Sequence, residues 1–574
     1  MCGIQVLITY GEDGGANIDS YDEIWASLTA INSRRGPDAH RQLSVQLPTA
    51  HVKLGAHVLH LRGPHTQTQP LVASDSGDIL CWNGEVFGGL DIGDQNDGVV
   101  LLAEIQRQKE LDPQNFILQS FSKVEGPYAF VYLDRVQSKL WFSRDYLGRR
   151  SLLTKKVGGM GLLISSVADS AEECALCGKG WTEVPAQKIY CVDLASPSGW
   201  LDEEGAFTEY SWRYECPGSG LERGEAALVL PFGRVNQTAN IAENEQPVVP
   251  QIHSLSEFPD TNKWQPYVDQ LKHELTAAIQ ARVDSIPSND SGNNCTRVGL
   301  LFSGGVDCIT IAALLTMLLP RDEPIELFNV AFENPRQTNN KLQQQLSVNP
   351  YDVPDRKTGR QGWHELCTID PTREWRFVEV DVPYTEVLEH RDHVRQLLVP
   401  ADTVMDMSIA LALWFASRGR GTLVNNNNVR TAYVGESRVL LLGMGADEQL
   451  GGYSRHRSAW DSGRFNSLGR EIDLDVQRIA TRNLGRDDRV VSDNGKEARF
   501  PFLAADVVKF LSETPIYYKM DMRYPRGIGE KLLLRLLAWQ LGLVQASMLA
   551  KRAIQFGART AKMESGQTKG QDTL

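Results

Sequence analysis

Residues 297–308 read Arg-Val-Gly-Leu-Leu-Phe-Ser-Gly-Gly-Val-Asp-Cys, and this stretch decides the fold of the second half of the chain. Residues 297–302 are typical of a short buried strand, and the apolar run Ile309–Leu319 predicts a helix. The glycines between them let the backbone approach a phosphate without a Cβ clash, and the first turn of the helix offers free N–H donors. The stretch therefore predicts a phosphate site, with an ordinary glycine-rich turn as the alternative. No Gly-Lys-Ser/Thr ending follows, so it is not a Walker loop.

Strand and helix patterns alternate after this stretch. Strand patterns lie at Ile325–Phe332, Arg376–Val380 and Val439–Leu442, and a helix pattern lies at Asp406–Ser417. Such alternation predicts a parallel sheet, and ligands bind at the carboxyl ends of its strands. Asp307, in the glycine-rich loop at that edge, is a candidate Mg²⁺ ligand beside the phosphates.

Size and composition limit the class of protein. The 574 residues are too many for one ordinary core, so two to four domains are expected. The net charge of −13 argues against nucleic-acid binding, so the phosphates of any ligand need local donors and Mg²⁺. No apolar run approaches ~20 residues and no signal-peptide pattern opens the chain, so we expect no membrane span and a cytoplasmic location. Nine scattered cysteines argue against a disulfide framework.

The chain begins Met1-Cys2-Gly3-Ile4, and the position of Cys2 suggests a nucleophile. Removal of Met1 would leave a free α-amine on the residue that carries the thiol. The ordinary pKa of the amine is near ~7.7 and that of the thiol near ~8.5, so the amine can act as the base for its own thiol. The alternative is an incidental thiol, because free cysteines are common in reducing compartments.

Polar motifs in the strand-rich first 200 residues complement Cys2. Asn83-Gly84-Glu85 follows the strand pattern Ile79–Trp82, and Asn96-Asp97-Gly98 opens a helix pattern. An amide hydrolase needs donors for a developing oxyanion, which a side-chain amide and a backbone N–H beside a glycine supply. A carboxylate such as Asp97 can hold the α-ammonium of glutamine. Each motif alone is an ordinary turn or cap, but the ordered set predicts a glutaminase.

These motifs resemble those of the class II, N-terminal-nucleophile (Ntn) glutamine amidotransferases found at the front of asparagine synthetases, over roughly residues 2–200. Family members place an arginine for the glutamine carboxylate where this chain has Val58, and Arg62 is the candidate replacement. The resemblance implies Cys2 as nucleophile, Asn83 and Gly84 as the oxyanion hole, and Glu85 and Asp97 as glutamine-binding groups.

The second half resembles the PP-loop ATP pyrophosphatases, and among them the asparagine synthetases. The matching motifs are Ser303–Cys308, Gly443–Glu448, Gly495–Leu503 and Lys551–Gly557. The resemblance implies ATP and Mg²⁺ as cofactors, with Asp307 and Asp447 as metal ligands. It implies an ATP site made of Leu301, Ser303, Gly304, Gly305, Asp307, Cys308, Val330, Gly443, Lys551 and Arg552.

Four positions depart from the family pattern. Cys308 replaces a serine, and a family lysine of the basic loop falls at Ala553. Met444 replaces the glutamate placed to deprotonate the attacking ammonia. Asp406 replaces the arginine that grips the carboxylate of aspartate, and a buried unpaired acid there would repel that substrate. The segments Phe328–Phe332, Asp406–Ser408 and Arg552–Gly557 look more like a divergent eukaryotic branch of the asparagine synthetase family than like ordinary asparagine synthetases.

The expected fold class is α/β with two domains, namely an Ntn-type αββα glutaminase sandwich followed by a PP-loop ATP-pyrophosphatase-like domain with a parallel sheet. The polar segments Asn334–Gly362 and Arg418–Ser437 are expected to be mobile surface insertions. The expected divisions are a glutamine amidotransferase domain at 2–211, a linker at 212–262, an asparagine synthetase-like ATP-binding domain at 263–563 and a flexible tail at 564–574.

Three functions are open at this point. The first is a glutamine-hydrolysing ligase that adenylates aspartate and forms asparagine, AMP and pyrophosphate. The second is the same chemistry on a different carboxylate, and the third is a scaffold that binds ATP without turnover. The expected partners are glutamine and aspartate or another small carboxylate, with no nucleic acid and no membrane, and a homodimer is considered.

Overall fold

The computed structural model describes residues 2–10, 19–157, 161–169, 180–195, 207–215, 228–238, 249–259, 261–287, 296–333, 349–425, 429–563 and 571–573. It holds three β-sheets together with helices, which confirms the mixed α/β class. Among these residues, no helix is long and apolar enough to cross a membrane. The domain boundaries drawn from the sequence stay predictions.

Two six-stranded sheets are built from strands in the first 211 residues. The strands are β1 (Gly3–Tyr10), β2 (Ala39–Gln46), β3 (Ala50–Val58), β4 (Leu71–Val72), β5 (Ile79–Gly84), β6 (Tyr128–Asp134), β7 (Lys139–Arg144), β8 (Leu153–Val157), β9 (Gly161–Ser165), β10 (Thr182–Glu183), β11 (Lys188–Asp193) and β12 (Thr208–Ser211). The helices of this region are α1 (Asp19–Arg35), α2 (Asp97–Leu111) and α3 (Phe116–Phe121).

The two sheets face each other across an apolar core. Their strand orders are β10-β8-β9-β1-β3-β2 and β12-β11-β7-β6-β5-β4, and neighbouring strands are antiparallel. Val6 of β1 and Val131 of β6 belong to the same buried cluster, because alternate side chains of each strand point into the space between the sheets. Trp25 of α1 covers the outside of the first sheet, and Phe121 of α3 packs near Trp82 outside the second. The layers therefore run helix, sheet, sheet, helix.

The third sheet has seven strands in the order β17-β16-β15-β14-β13-β18-β19. They are β13 (Val298–Leu301), β14 (Ile325–Phe332), β15 (Trp375–Val382), β16 (Arg420–Val424), β17 (Arg430–Val434), β18 (Val439–Leu441) and β19 (Glu497–Arg499). β15, β14, β13, β18 and β19 are parallel, whereas β16 and β17 add an antiparallel hairpin at one edge.

Twelve further helices surround this sheet in the described part of the chain. They are α4 (Thr261–Asp284), α5 (Val306–Leu315), α6 (Pro354–Ile369), α7 (Tyr384–Leu398), α8 (Val404–Ser417), α9 (Ala446–Leu450), α10 (Ser454–Arg482), α11 (Leu484–Ser492), α12 (Ala505–Glu513), α13 (Ile516–Lys519), α14 (Leu532–Gln540) and α15 (Ile554–Gly557). Short 3₁₀ helices lie at Leu255–Glu257, Pro501–Leu503, Ala546–Met548 and Thr560–Lys562.

The prediction that Asn334–Gly362 and Arg418–Ser437 are mobile surface insertions is wrong for the residues that the structure describes. Residues 354–362 belong to α6, where buried Arg356 pairs with Glu379 at 3.2 Å and with Asp381 at 2.7 Å. Arg418–Ser437 contains the β16–β17 hairpin, which continues the sheet. Residues 334–348 and 426–428 lie outside the described residues.

Described residues of the predicted linker and tail also make contacts. Trp212 and Phe232 are buried and stack edge-on against Tyr146. Near the end of the chain, Thr573 forms a β-bridge with Thr403. The predicted tail otherwise lies outside the described residues.

Candidate functional site

Cys2 lies at the start of β1, enclosed by polar groups of the second sheet. Its main-chain nitrogen donates to Asn83 Oδ1 at 2.9 Å, and Gln69 Nε2 donates to its Sγ at 3.7 Å. Burial raises the pKa of the thiol, although a nearby amino terminus and the backbone N–H of Leu59 oppose the shift. With only 8% of Cys2 exposed, the thiol is held in its neutral form until a base or substrate approaches.

Asn83 has a free donor beside Cys2. It occupies the penultimate position of β5, fully buried, and its Oδ1 is taken by the Cys2 nitrogen. Its Nδ2 has no hydrogen-bond partner among the described residues. An unused buried donor is costly, and next to a nucleophile it is available to an oxyanion.

The remaining predicted glutamine-site residues gather at the end of β5. Asp97 accepts from Val86 N at 3.1 Å and from Trp82 Nε1 at 3.2 Å. Arg62 donates to Val86 O at 2.6 Å and approaches Glu85 at 3.9 Å. The structure thus brings Arg62, Glu85 and Asp97 together at the end of β5.

Glu85 and Asp97 are both buried acids. Burial raises the pKa of Glu85 to about 8, against the lowering effect of Arg499, whose Nη2 lies 3.4 Å from Glu85. Burial likewise raises the pKa of Asp97, against Arg62. A positively charged ligand group would therefore relieve two acids that the protein only partly compensates.

A chain of buried ion pairs joins this site to the third sheet. Arg35 reaches Cys2 O at 3.4 Å and Asp488 at 2.7 Å. Arg150 lies 3.5 Å from Asp488 and 3.1 Å from Glu497. The charges of α11 and β19 are thus needed to neutralise arginines of the sandwich.

A cavity of about 230 Å³ opens at the carboxyl edge of the parallel strands. This is the edge at which the sequence placed the phosphate loop. The predicted residues that line it are Leu301, Ser303, Gly305, Asp307, Cys308, Gly443, Asp447 and Lys551.

The glycines of the two loops permit close approach. Gly304 has φ +77°, and a Cβ there would lie 2.1 Å from Thr358 O. A Cβ on Gly443 would lie 2.7 Å from Asp307 Cβ. Because a side chain would not fit at Gly304 or at Gly443, these glycines let α6 and the second loop (Gly443–Glu448) pack against the phosphate loop.

Two predicted metal ligands converge on one lysine that the sequence did not point to. Lys531 Nζ lies 2.7 Å and 2.6 Å from the two oxygens of Asp307 and 2.5 Å from Asp447 Oδ1. Lys551 pairs with the other oxygen of Asp447. Burial by itself would raise the pKa of Asp447, but the two lysines outweigh burial and lower it. Lys531 precedes α14 in the left-handed region at φ 57°, a conformation uncommon for a non-glycine residue.

The two carboxylates and two lysines of this site suit Mg²⁺ and a nucleoside triphosphate. Asp307 and Asp447 supply two oxygen ligands, and no cluster of three or more metal-binding side chains occurs in the described residues. Mg²⁺ needs six oxygens and commonly takes the rest from phosphates and water. Two carboxylates flanked by two lysines therefore suit a phosphate-bound ion better than a protein-only metal centre.

Not every predicted ATP residue lines this cavity. Val330 is buried in β14 among apolar side chains. Arg552 lines a smaller adjoining cavity of about 60 Å³ together with Asp355, 3.8 Å from it. Burial raises the pKa of Asp355 to about 7, against Arg552 and Lys551.

Asp406 is paired, so the expected repulsion by a buried unpaired acid does not apply. Arg486 of α11 donates to one oxygen of the Asp406 carboxylate. The backbone N–H of Asp406 donates to Thr403 Oγ1 at 3.1 Å. Arg486 also donates to Asp487 Oδ1 at 2.9 Å and 2.8 Å. Met444, Arg486 and Asp487 all line the cavity.

Sequence reasoning missed Lys531, Arg486 and Asp487. Lys531 lies in Gly529-Glu530-Lys531 and Arg486 in a run of alternating charges, and neither has a local pattern that distinguishes it from a surface residue. Their partners lie far away along the chain: 224 residues separate Lys531 from Asp307.

Comparisons with known proteins identify the family of the chain. A family model for asparagine synthase matches residues 466–569. Among solved structures, a glutamine phosphoribosylpyrophosphate amidotransferase from B. subtilis covers 66% of this chain and 81% of its own, but the 15% identity and TM-score of 0.27 are too low to add to the argument.

Two curated relatives match nearly end to end. Asparagine synthetase domain-containing protein 1 of Mus musculus is 37% identical over 637 residues, covering 100% of this chain and 99% of that protein. An asparagine synthetase domain-containing protein of Saccharomyces cerevisiae is 32% identical over 574 residues, covering 98% and 94%. This chain therefore belongs to the family of asparagine synthetase domain-containing proteins.

Proposed function

We propose that the protein is an asparagine synthetase-like ligase that takes nitrogen from glutamine and uses ATP to amidate a small carboxylate. The observation that carries the proposal is that Asp307 and Asp447, which line a cavity at the carboxyl edge of a parallel sheet, both pair with buried Lys531. Support also comes from the hydrogen bond between Cys2 and Asn83. Cytoplasmic location remains part of this proposal.

The first step takes place at Cys2. Once Met1 is removed, the nitrogen held by Asn83 Oδ1 is an α-amine that can accept the thiol proton. The thiolate attacks the side-chain amide of glutamine, while Asn83 Nδ2 and the backbone N–H at Gly84 stabilise the oxyanion. Glu85 and Asp97 hold the α-ammonium and Arg62 the carboxylate. Loss of ammonia leaves a thioester, which water hydrolyses to glutamate.

The second step takes place in the cavity of the third sheet. Bound Mg²⁺ would draw charge from the phosphates, and Asp307 and Asp447 are the residues to hold it. Lys531 and Lys551 neutralise the pyrophosphate as it leaves, and the helix start at Gly305 offers backbone donors. Because Met444 cannot take a proton, the proton released when ammonia attacks needs another acceptor. Glu448, which lines the cavity and accepts from Tyr453 at 2.5 Å, is the carboxylate of that loop not engaged by the two lysines and is the acceptor that we propose.

The test is a product assay with two nitrogen donors. Met1-processed protein is incubated with ATP, Mg²⁺ and a panel of small carboxylates that includes aspartate, with glutamine or ammonium as donor. The proposal predicts AMP and pyrophosphate with both donors and glutamate with glutamine alone. Lack of AMP under every condition, with ATP still bound, would contradict it and favour the scaffold.

The second candidate function is amidation of a carboxylate other than aspartate, and the ion pairs of Arg486 favour it. The only arginine lining the described cavity near Met444 is Arg486, and two carboxylates already engage it. An aspartate side chain entering the cavity would have to compete with both for that cation.

A further inference from the structure

The part of the cavity wall formed by the start of α11 has an excess of acid. Asp487 is fully buried, lines the cavity and shares Arg486 with Asp406. Two carboxylates therefore share one guanidinium, so the charge of this group is net negative and it favours a cation over a second anion.

One oxygen of this cluster is unused. Asp487 Oδ1 accepts two donors from Arg486, whereas its Oδ2 has no hydrogen-bond partner among the described residues. Burial raises the pKa of Asp487, although Arg486 opposes the shift. A buried carboxylate oxygen without a donor is unfavourable, and a ligand N–H placed against it would remove that penalty.

Apolar side chains make up much of the remaining wall, beside the polar residues Tyr453, Asn483 and Gln555. Ile409 and Leu413 come from α8, Ile479 from α10 and Leu484 from α11, and Met444 comes from the second loop. Apolar walls accommodate methylene groups and give no partner to a further charge.

We propose that the acceptor is a monocarboxylate that carries a protonated amine on an apolar carbon chain, with Asp487 as the residue that holds the amine and excludes dicarboxylates. This inference rests on the proposed function for the chemistry, but binding at Asp487 is measurable without turnover. Its carboxylate would face the phosphate loop, and its amine would face Asp487 Oδ2.

A matched series of five-carbon acids tests the inference: 5-aminopentanoate, pentanoate and glutarate, with aspartate as a fourth ligand. Dissociation constants are measured by calorimetry on the full chain with ATP and Mg²⁺ present, and AMP formation is followed in parallel. The wild-type protein is expected to bind 5-aminopentanoate about 10- to 100-fold more tightly than pentanoate, and to bind glutarate and aspartate more weakly than either.

Two variants locate the effect. Asp487→Asn is expected to abolish the preference for the amine. Asp406→Asn removes one of the two carboxylates that neutralise Arg486 and is expected to improve glutarate binding. This second variant keeps the inference testable if Asp487→Asn does not fold. ATP affinity, which both variants should keep, shows that the cavity is intact.

The outcomes separate the inference from the proposed function. Amine-selective binding that Asp487→Asn removes, without AMP, would uphold the inference and contradict the proposed ligase. AMP formation with aspartate or glutarate as the best ligand would overturn the inference and leave the ligase. No acceptor bound, or a preference untouched by both variants, would also overturn the inference.

Discussion

The glutamine site and the ATP cavity differ in how their charges are satisfied. Around Cys2, the acids and Arg62 engage one another and the thiol is almost fully enclosed. In the site of the third sheet, Asp447 pairs with both Lys531 and Lys551, while Asp307, Asp447 and Lys551 line an open cavity. An enclosed nucleophile needs a local rearrangement to admit substrate, whereas the cavity is formed before its ligands arrive. Because the two sites differ in this way, we expect that a substitution in one site abolishes its half-reaction and leaves the other half-reaction intact.

The largest effect is expected from Cys2→Ala. Glutamine hydrolysis should fall on the order of 10⁴- to 10⁶-fold because the nucleophile is gone, while ammonium-driven AMP formation is unchanged. Glutamate release and AMP are measured on the same sample. Cys367→Ala, in α6, is the matched control and should leave both intact. Equal loss with ammonium would show that the sites are not separable.

Asp447→Asn reverses the pattern. Removing the charge that Lys531 and Lys551 share should lower AMP formation on the order of 10²- to 10³-fold, while glutamine hydrolysis at Cys2 continues. The exposed Asp506→Asn in α12 is the control. AMP formation unaffected by Asp447→Asn would place the metal elsewhere.

Asp488→Ala tests the ion pairs that join the two sites. It leaves Arg35 and Arg150 buried without their shared carboxylate, which should cost about 3–5 kcal/mol. Thermal unfolding followed by circular dichroism should show a lower midpoint. Asp22→Ala removes an exposed pair with Lys53 and should leave the midpoint unchanged. Equal midpoints for both variants would contradict a structural role for the network.

The smallest effect concerns Glu85 and pH. Its pKa is raised to about 8, so it must lose a proton before it can pair with the ammonium of glutamine. The KM for glutamine should therefore fall as pH rises through this value, by at most about tenfold per pH unit. The same raised pKa means that Glu85 contributes stability below its ordinary pKa and loses that contribution as pH rises towards 8.

Glu85→Gln is the control for that pH dependence. It should flatten the dependence of KM while leaving AMP formation with ammonium unchanged. A pH dependence of KM that persists in Glu85→Gln would assign the titration to another group.

Sequence patterns predicted the parallel sheet and its phosphate loop, because a strand, glycines and a helix follow one another without interruption. They failed at 354–362, where polar residues mimic a surface loop although Arg356 is buried by ion pairs. They also failed at β16 and β17, because both lie at the sheet edge and have too few buried positions to alternate.

The candidate sites show the same limit. Cys2, Asn83 and Asp97 were predicted because each belongs to a short recognisable motif. Lys531 and Asp487 were not, because the role of Lys531 arises from a contact with Asp307 far away along the chain and that of Asp487 from a single unpaired oxygen. Local sequence determines where a loop lies but not which distant charge will face it.

The most direct test of the proposed ligase is transfer of labelled nitrogen. Glutamine labelled with ¹⁵N in its side-chain amide is incubated with the full chain, ATP, Mg²⁺ and the carboxylate panel, and products are analysed by mass spectrometry. The proposal predicts that one AMP is formed for each ¹⁵N-labelled amide. The labelled amide should be absent in Cys2→Ala and in Asp447→Asn. Labelled ammonia without any labelled amide or AMP would contradict it.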